Sequence, residues 1–214
     1  MAIETLDIRN LNNNLPDIDC KAIHDEALVN IDEVIERQPI AISCGTYNYK
    51  GYTNDIPMLS YGNFMALVGA SKSMKSFLKS ALVAGYIGGQ TQNNFPNLKG
   101  HNLDGKYVID IDTEQGVFHA QRVFRRVSEL VGANYKKYVP LALRPNSAKE
   151  RLEFLNWLCY ESEYKDNIGL ISIDGIADLV DDVNNIEECN KLVQNLMKIT
   201  EETGAAMITV LHSN

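Results

Sequence analysis

Residues 64–76 read Phe-Met-Ala-Leu-Val-Gly-Ala-Ser-Lys-Ser-Met-Lys-Ser, an apolar run followed by a glycine and a lysine-rich turn. This order predicts a buried strand, a tight turn and a helix whose N-terminus faces an anion. The turn matches the phosphate-binding pattern G-x-x-x-x-G-K-[ST] at its first glycine, at Lys75 and at Ser76, but Met74 replaces the second glycine. Taken alone, the octet 69–76 leaves two interpretations open: nucleotide binding, or a turn that only caps a helix.

Each residue type in the turn suits phosphate binding for a chemical reason. Backbone N–H groups of a tight turn and of a helix N-terminus attract phosphate. We expect Lys75 to lie between the β- and γ-phosphates of ATP, and the Ser76 hydroxyl to join the shell of Mg²⁺. Met74 fits if its backbone is helical and its side chain points away from the nucleotide. The predicted nucleotide-binding residues are Gly69, Ala70, Ser71, Lys72, Ser73, Met74, Lys75, Ser76 and Phe77.

Composition favours a globular protein. The 214 residues are 45% hydrophobic, which is enough for a sizeable core in one large domain or in a domain with an arm. No apolar run approaches the roughly 20 residues of a membrane span, and the first residues lack the pattern of a secretory signal. The four cysteines show no C-x-x-C spacing, which favours free thiols and predicts a cytoplasmic location.

The net charge bears on partners. A formal charge of −8 at pH 7 disfavours general nucleic-acid binding, because that binding depends on neutralising phosphates. Basic residues do cluster at 122–126 and at 136–137, either as solvated helix faces or as binding stripes. We expect no membrane partner.

Strand and helix patterns alternate along the chain. After a polar lead-in at 1–19, apolar residues repeat at helical spacing from Lys21 to Arg37, so residues 1–39 are predicted to form an N-terminal arm with an amphipathic helix. A short strand, Ile40–Cys44, leads into a tyrosine-rich loop at 45–52, which is either a stacking surface or an ordinary loop. Further strands are predicted at 64–68, 106–112, 138–143, 168–174 and 205–211, and helices at 75–87, 117–131, 148–164 and 187–203. This alternation predicts an α/β fold at 40–214, with a mainly parallel sheet covered by helices on both faces.

Polar groups follow three of the predicted strands. Strand 106–112 ends in Asp112-Thr-Glu114, strand 168–174 ends in Asp174, and strand 205–211 is followed by His212-Ser-Asn214. Because ligands collect at the carboxyl ends of parallel strands, we expect these groups beside the phosphate-binding turn.

Each group has a chemical role if ATP binds there. We expect Asp174 to hold Mg²⁺ directly or through water, as a Walker B carboxylate does, and Glu114 to orient or deprotonate the attacking water. Glu114 and Lys75 are the predicted catalytic residues, and His212 and Asn214 are predicted to sense the γ-phosphate by hydrogen bonding. Capping of a helix or turn is the alternative for Asp174 and Glu114, and an exposed terminal histidine is the alternative for His212.

These motifs, in this order, resemble the RecA-like P-loop ATPases over about residues 40–214. The strand-end Glu114 matches the position of the catalytic glutamate in that family. The stretch from Tyr107 to Arg122, the run Ile173-Asp-Gly-Ile-Ala-Asp-Leu179 and the terminal Leu-His-Ser-Asn are similar to the replication-helicase-like (RepA and DnaB type) branch found on plasmids and mobile elements.

The resemblance implies an ATP-binding and ATP-hydrolysing motor subunit that acts in DNA replication or mobile-element maintenance, with ATP and Mg²⁺ as ligands. It also implies a homo-oligomer, with a hexameric ring as one form, and single-stranded DNA as a partner, although the acidic segment 175–188 repels phosphate. Because RecA-like cores usually continue beyond the fifth strand, we expect a core truncated at its C-terminus.

Two other functions stay open. One is a non-hydrolysing, nucleotide-dependent regulator or scaffold of a protein partner, which Met74 and the acidic segment favour. The other is a small-molecule kinase, for which the sequence lacks a recognisable arginine-bearing lid. For the motor, Met74 predicts slow hydrolysis with nucleotide binding retained.

Overall fold

The computed structural model describes residues 18–102 and 105–213, except for the side chain of Ser213. The chain divides into two compact units, Met1–Arg37 and Gln38–Asn214. Residues 1–17 of the predicted lead-in, and the predicted site residue Asn214, lie outside the described residues. None of the described helices is long and apolar enough to cross a bilayer.

A parallel sheet forms the centre of the larger unit. Its described strands are, in spatial order, β3 (Phe64–Ala70), β8 (Ala206–Ser213), β7 (Ile168–Asp174), β5 (Tyr107–Asp112) and β6 (Tyr138–Ala142). Neighbouring strands all pair in parallel, so their carboxyl ends share one edge of the sheet. Every residue of β7 is buried, as expected for a central strand between two helical layers.

Helices cover both faces of this sheet. They are α2 (Lys75–Ile87) and α4 (Val117–Val131) on one face, and α5 (Ala148–Tyr160) and α6 (Ile186–Thr203) on the other. Along β7, Leu170 packs in the apolar cluster of α2 and α4, whereas its neighbour Ile171 packs in the cluster of α5 and α6. This alternation follows from the two-residue period of a strand. The predicted α/β fold with helices on both faces is confirmed.

A second, antiparallel sheet lies beside the parallel one, and two of its three described strands precede β3 whereas the third follows α2. It contains β1 (Ile40–Tyr49), β2 (Tyr52–Ser60) and β4 (Leu98–Gly100) in the order β2-β1-β4, and a short helix, α3 (Thr91–Asn94), precedes β4. The prediction of a loop at 45–52 is therefore wrong. Lys50 and Gly51 both have positive φ angles, 50° and 83°, which make the two-residue turn of a β-hairpin. Tyr47, Tyr49 and Tyr52 are exposed on that hairpin.

The N-terminal helix is shorter than predicted. It is α1 (Cys20–Ala27), so the prediction of a helix that continues to Arg37 is wrong. Leu28 is extended, with φ −71° and ψ 114°. The Asn30 side chain then accepts a hydrogen bond from the Asp32 N–H, and such local bonding offers the backbone an alternative to the helix.

The other predicted strands and helices of the parallel-sheet unit agree with the structure within two residues, except at the end of α5. This helix ends at Tyr160 rather than 164. There the Ser162 hydroxyl donates to the Leu158 carbonyl and accepts from the Tyr164 N–H, which turns the chain out of the helix.

Candidate nucleotide site

The loop 71–74 connects β3 to α2 and contains two left-handed residues. Lys72 and Met74 each have a φ of 63°. Met74 is the N-cap of α2, with ψ 22°, and its side chain is 72% exposed. The expectation of an ordinary helical backbone at Met74 is therefore wrong. Its backbone takes the conformation that glycine adopts at the lowest cost, which explains why glycine is the usual residue at this position of the motif.

Lys75 folds back onto the loop. Its side chain is buried, and Nζ lies 2.5 Å from the Gly69 carbonyl, 2.6 Å from the Ala70 carbonyl and 3.4 Å from the Ser73 hydroxyl. Met74, the N-cap residue of α2, makes no side-chain cap hydrogen bond to this helix. The ammonium group and the N-terminal end of this helix therefore lie together at the end of β3. Ser76, which is half-buried, and Phe77, which is exposed, follow in the same helical turn.

The strand register brings the other predicted residues to the same edge. Asp112 pairs with Asp174 across β5 and β7, and Gly69 pairs with His212 across β3 and β8. Strand β8 lies between β3 and β7. The ends of these four strands thus lie side by side, as the sequence predicts.

Three side chains meet above the end of β7. Each of Glu114, Asp174 and His212 offers one ligand atom, and these atoms lie within 4.8 Å of one another. Glu114 Oε1 is 3.1 Å from His212 Nε2. Asp174 is buried, whereas the side chains of Glu114 and His212 are about one-third exposed, at 34% and 35%. Carboxylate oxygens and an imidazole nitrogen at this spacing are a donor set that suits a divalent cation.

Asp174 has free ligand capacity. Neither of its buried carboxylate oxygens has a hydrogen-bond partner among the residues that the structure describes, so it caps no described helix or turn. Buried carboxylate oxygens are normally satisfied by a donor or a cation. The residue therefore fits a role in holding Mg²⁺, directly or through water.

Glu114 does not cap the helix that follows it. The N-cap of α4 is Gly116, which has no side-chain cap hydrogen bond. Instead, Asp112 Oδ1 accepts from the N–H groups of Glu114 and Gln115, at 3.0 and 2.8 Å. Asp112 thereby fixes the turn that directs Glu114 toward Asp174 and His212.

Burial raises the pKa of two carboxyls at this edge of the sheet, Glu114 and Asp112. The pKa of Glu114 lies above its usual value, mainly because burial disfavours the anion. The negative charges of Asp174, Asp178 and Asp112 raise it further, and His212 opposes the rise. Burial also raises the pKa of the Asp112 carboxyl. A carboxylate with a raised pKa accepts a proton more readily, which suits a general base.

A buried ion pair that sequence reasoning missed lies beneath the cluster. Lys79 is fully buried one turn after Lys75, and its Nζ lies 2.8 Å from Asp110 Oδ1 and 3.8 Å from Asp174 Oδ2. Burial lowers the pKa of Lys79, but the Asp110, Asp174 and Asp112 carboxylates raise it more, so the net shift is upward and the lysine stays charged. The available signal was a second lysine, one turn after Lys75, in a helix whose later residues are mostly apolar.

Two further residues hold the strand ends together. The Thr113 hydroxyl lies within 3.0 Å of the Asp174 and Gly175 carbonyls and of Asp178 Oδ2. The Arg151 guanidinium donates to four backbone carbonyls, those of Leu143, Arg144, Asp178 and, at 3.5 Å, Thr113. Both sets of contacts join distant segments, and no local sequence pattern predicts them.

A phosphate-binding loop after one strand and acidic groups at the ends of nearby parallel strands define a P-loop ATPase. A family model described as an AAA domain matches residues 51–214, and the chain belongs to this family of P-loop ATPases. No curated protein matches the chain. The fold agrees with the predicted RecA-like core, while the replication-helicase-like branch stays a prediction.

Proposed function

We propose that this chain binds ATP with Mg²⁺ and hydrolyses it, as a subunit of a RecA-like motor that acts in DNA replication or mobile-element maintenance. The observation that carries the proposal is the meeting of Glu114, Asp174 and His212 at the sheet edge that also carries Lys75. An ATPase needs a positively charged side chain that binds phosphate, a metal ligand and a base in one place, and this edge supplies residues for all three.

The proposed roles follow from the contacts. Lys75 exchanges its hydrogen bonds to the loop carbonyls for bonds to phosphate oxygens. Ser76 and Asp174 hold Mg²⁺, which when bound neutralises phosphate charge. Glu114 accepts a proton from the attacking water, and His212 orients the Glu114 carboxylate and donates a hydrogen bond toward the γ-phosphate.

The proposed partners are other copies of the chain, in a homo-oligomer that includes a hexameric ring as one form, and single-stranded DNA. Support comes from the resemblance to replication-helicase-like proteins. The charge of −8 and the exposed Asp181 and Asp182 after the Walker B strand oppose tight DNA binding by this chain alone. We therefore expect any DNA contact to be weak and sensitive to salt.

Steady-state ATP turnover and ATP affinity, each with and without single-stranded DNA, test the proposal. Glu114→Gln is expected to retain ATP binding and to lose turnover by a factor of about 100 or more. Glu153→Gln, an exposed residue of α5, is the matched control and should behave like the unmodified chain. Turnover that survives Glu114→Gln contradicts the assignment of the base, and failure to bind ATP contradicts the whole proposal.

Met74 favours a second candidate, a nucleotide-dependent regulator that does not hydrolyse ATP. The left-handed methionine places a side chain where the motif has none, so the loop is less free to adjust around phosphate. ATP binding without turnover in the same assay, with or without DNA, distinguishes this candidate from the motor.

A further inference from the structure

Lys79 provides a positive charge inside the protein, directly under the proposed metal-binding carboxylate. It lies on α2 with no exposed surface, and it ion-pairs with Asp110 and with Asp174. It is a different lysine from Lys75, which contacts the loop one helical turn earlier.

Asp110 and Asp174 are not equivalent partners of this lysine. Asp110 uses both oxygens, accepting from Lys79 at 2.8 Å and from the Tyr138 hydroxyl at 2.7 Å. Asp110 is thus fully engaged and is the fixed counter-ion of the lysine. Asp174 lies 3.8 Å from the ammonium, beyond hydrogen-bond distance, and its oxygens accept no hydrogen bond from any residue that the structure describes.

This asymmetry gives Lys79 a specific electrostatic effect. A charge at about 4 Å interacts strongly across a protein interior, so the ammonium attracts the Asp174 carboxylate without occupying its oxygens. The same positive charge repels a divalent cation that approaches Asp174. Phosphate groups supply the negative charge that offsets this repulsion.

We propose that Lys79 is a positioning residue that acts through Asp174. It leaves the oxygens of this carboxylate open, and it suppresses binding of a divalent cation until a nucleotide brings its phosphates. Metal binding at Asp174 therefore depends on nucleotide. The inference deepens the proposed function and rests on the ATP and Mg²⁺ site described there.

Two variants with opposite changes in charge test the inference. Mn²⁺ alone, without nucleotide, is titrated against the full chain and followed by electron paramagnetic resonance. Lys79→Met removes the positive charge at nearly constant volume and should tighten Mn²⁺ binding about tenfold or more. Asp110→Asn leaves the lysine without its counter-ion and should weaken Mn²⁺ binding below that of the unmodified chain.

The opposite signs separate this effect from a structural one. If Lys79 only supports packing, both variants disturb the same buried pair and move Mn²⁺ affinity in the same direction, which overturns the inference. Unchanged or weaker binding in folded Lys79→Met also overturns it. If Lys79→Met does not fold, Asp110→Asn carries the test alone, and unchanged or tighter binding there overturns the inference.

Failure of the inference is distinguishable from failure of the proposed function. Binding of MgATP to the unmodified chain is measured in the same series. Absence of that binding refutes the ATP site itself. If MgATP binds normally but Mn²⁺ affinity in the two variants changes in the direction opposite to that expected, only the role of Lys79 is refuted.

Discussion

Glu114 Oε1 and His212 Nε2 lie 3.1 Å apart, although Glu114 follows β5 and His212 lies in β8, and these strands are not neighbours. Strands β5 and β8 lie on opposite sides of β7, so the two side chains meet across the end of the strand that carries Asp174. This contact couples a carboxyl whose pKa burial raises to a group whose charge lowers that pKa. The protonation of Glu114 therefore depends directly on His212.

Replacing His212 should change both the rate and the pH profile of ATP hydrolysis. In His212→Ala, the interaction that lowers the Glu114 pKa is lost, so this pKa rises further. Because the base must be ionised, the acid limb of kcat should move to higher pH, and kcat at neutral pH should fall about 10- to 100-fold. The check is a pH–rate profile with His119→Ala, an exposed residue of α4, as the control. An unmoved acid limb would mean that the two groups do not act together.

Replacing Met74 by glycine should relieve backbone strain. A left-handed conformation costs a residue with a side chain about 1–2 kcal/mol, and part of this is offset because glycine makes the unfolded chain more flexible. Met74→Gly should therefore raise the free energy of unfolding by up to about 1 kcal/mol and tighten ATP binding. Urea unfolding and ATP titration measure the two effects.

Met74→Ala is the matched comparison for that variant, because it removes the side chain and keeps the strain. We expect no gain in stability from it. Equal stabilisation by alanine and glycine would show that the methionine side chain, and not the backbone conformation, carries the cost.

Gly175, which follows Asp174, should not tolerate a side chain. Its φ is 96°, and a Cβ there would collide with Thr113 Oγ1 and lie 2.8 Å from Glu114 Cγ. Gly175→Ala should lower the free energy of unfolding by more than about 2 kcal/mol and reduce turnover. Gly204→Ala is the control, because Gly204 also has a positive φ, 66°, but open space around it, and should cost about 1 kcal/mol. If both variants lose a similar amount of unfolding free energy, the loss comes from backbone strain alone, and the predicted collision at Gly175 is refuted.

Arg151 should be needed for the arrangement of the loops at the carboxyl edge. Its four hydrogen bonds to backbone carbonyls require the planar guanidinium. We expect both Arg151→Ala and Arg151→Lys to lower the free energy of unfolding, the alanine variant by about 2 kcal/mol. Lys149→Ala, an exposed residue on the same helix, should have almost no effect. Chemical denaturation measures these free energies. An Arg151→Lys variant as stable as the unmodified chain would refute the requirement for a planar guanidinium.

The cysteines should differ sharply in reactivity. Burial raises the pKa of the Cys159 thiol to about 12, whereas Cys20 and Cys44 are exposed. The reactive thiolate of Cys159 is therefore scarce at pH 8, on the order of one molecule in ten thousand. Iodoacetamide at pH 8, followed by peptide mass spectrometry, should label Cys20 and Cys44 in the native chain, and Cys159 only after unfolding. Rapid native labelling of Cys159 would contradict its burial between the sheet and α5.

The sequence predicts the repeating strand and helix units well, because local hydrophobic periodicity determines them. Asp112 and Asp174 could be placed at one edge because the carboxyl ends of parallel strands align. The hairpin turn at Lys50 was missed because a non-glycine residue there adopts a positive φ. The length of the N-terminal helix was overestimated because apolar residues continue at helical spacing beyond Ala27, although the backbone is no longer helical there.

The supporting groups of the site are harder to predict. Lys79 and Asp110 lie 31 residues apart, and only the packing of α2 on β5 makes them an ion pair. Arg151 binds backbone carbonyls, which every residue has, so the sequence carries no sign of its partners. Contacts of this kind depend on the assembled fold and not on local patterns.

The position of β8 in the sheet has a consequence for folding during synthesis on the ribosome. Strand β3 leads into the phosphate-binding loop, and among the described strands its partner in the parallel sheet is β8. The Thr209 hydroxyl of β8 donates to the Met65 carbonyl of β3, 144 residues earlier in the chain. Local elements such as the hairpin of β1 and β2 can form early, but β3 cannot pair in the parallel sheet until the chain has been made through β8. Pairing over such separations is slow and leaves apolar edges open meanwhile. The nascent chain therefore fixes its nucleotide loop only after β8 has been made, in a step that inserts this strand between β3 and β7, both of which are made earlier.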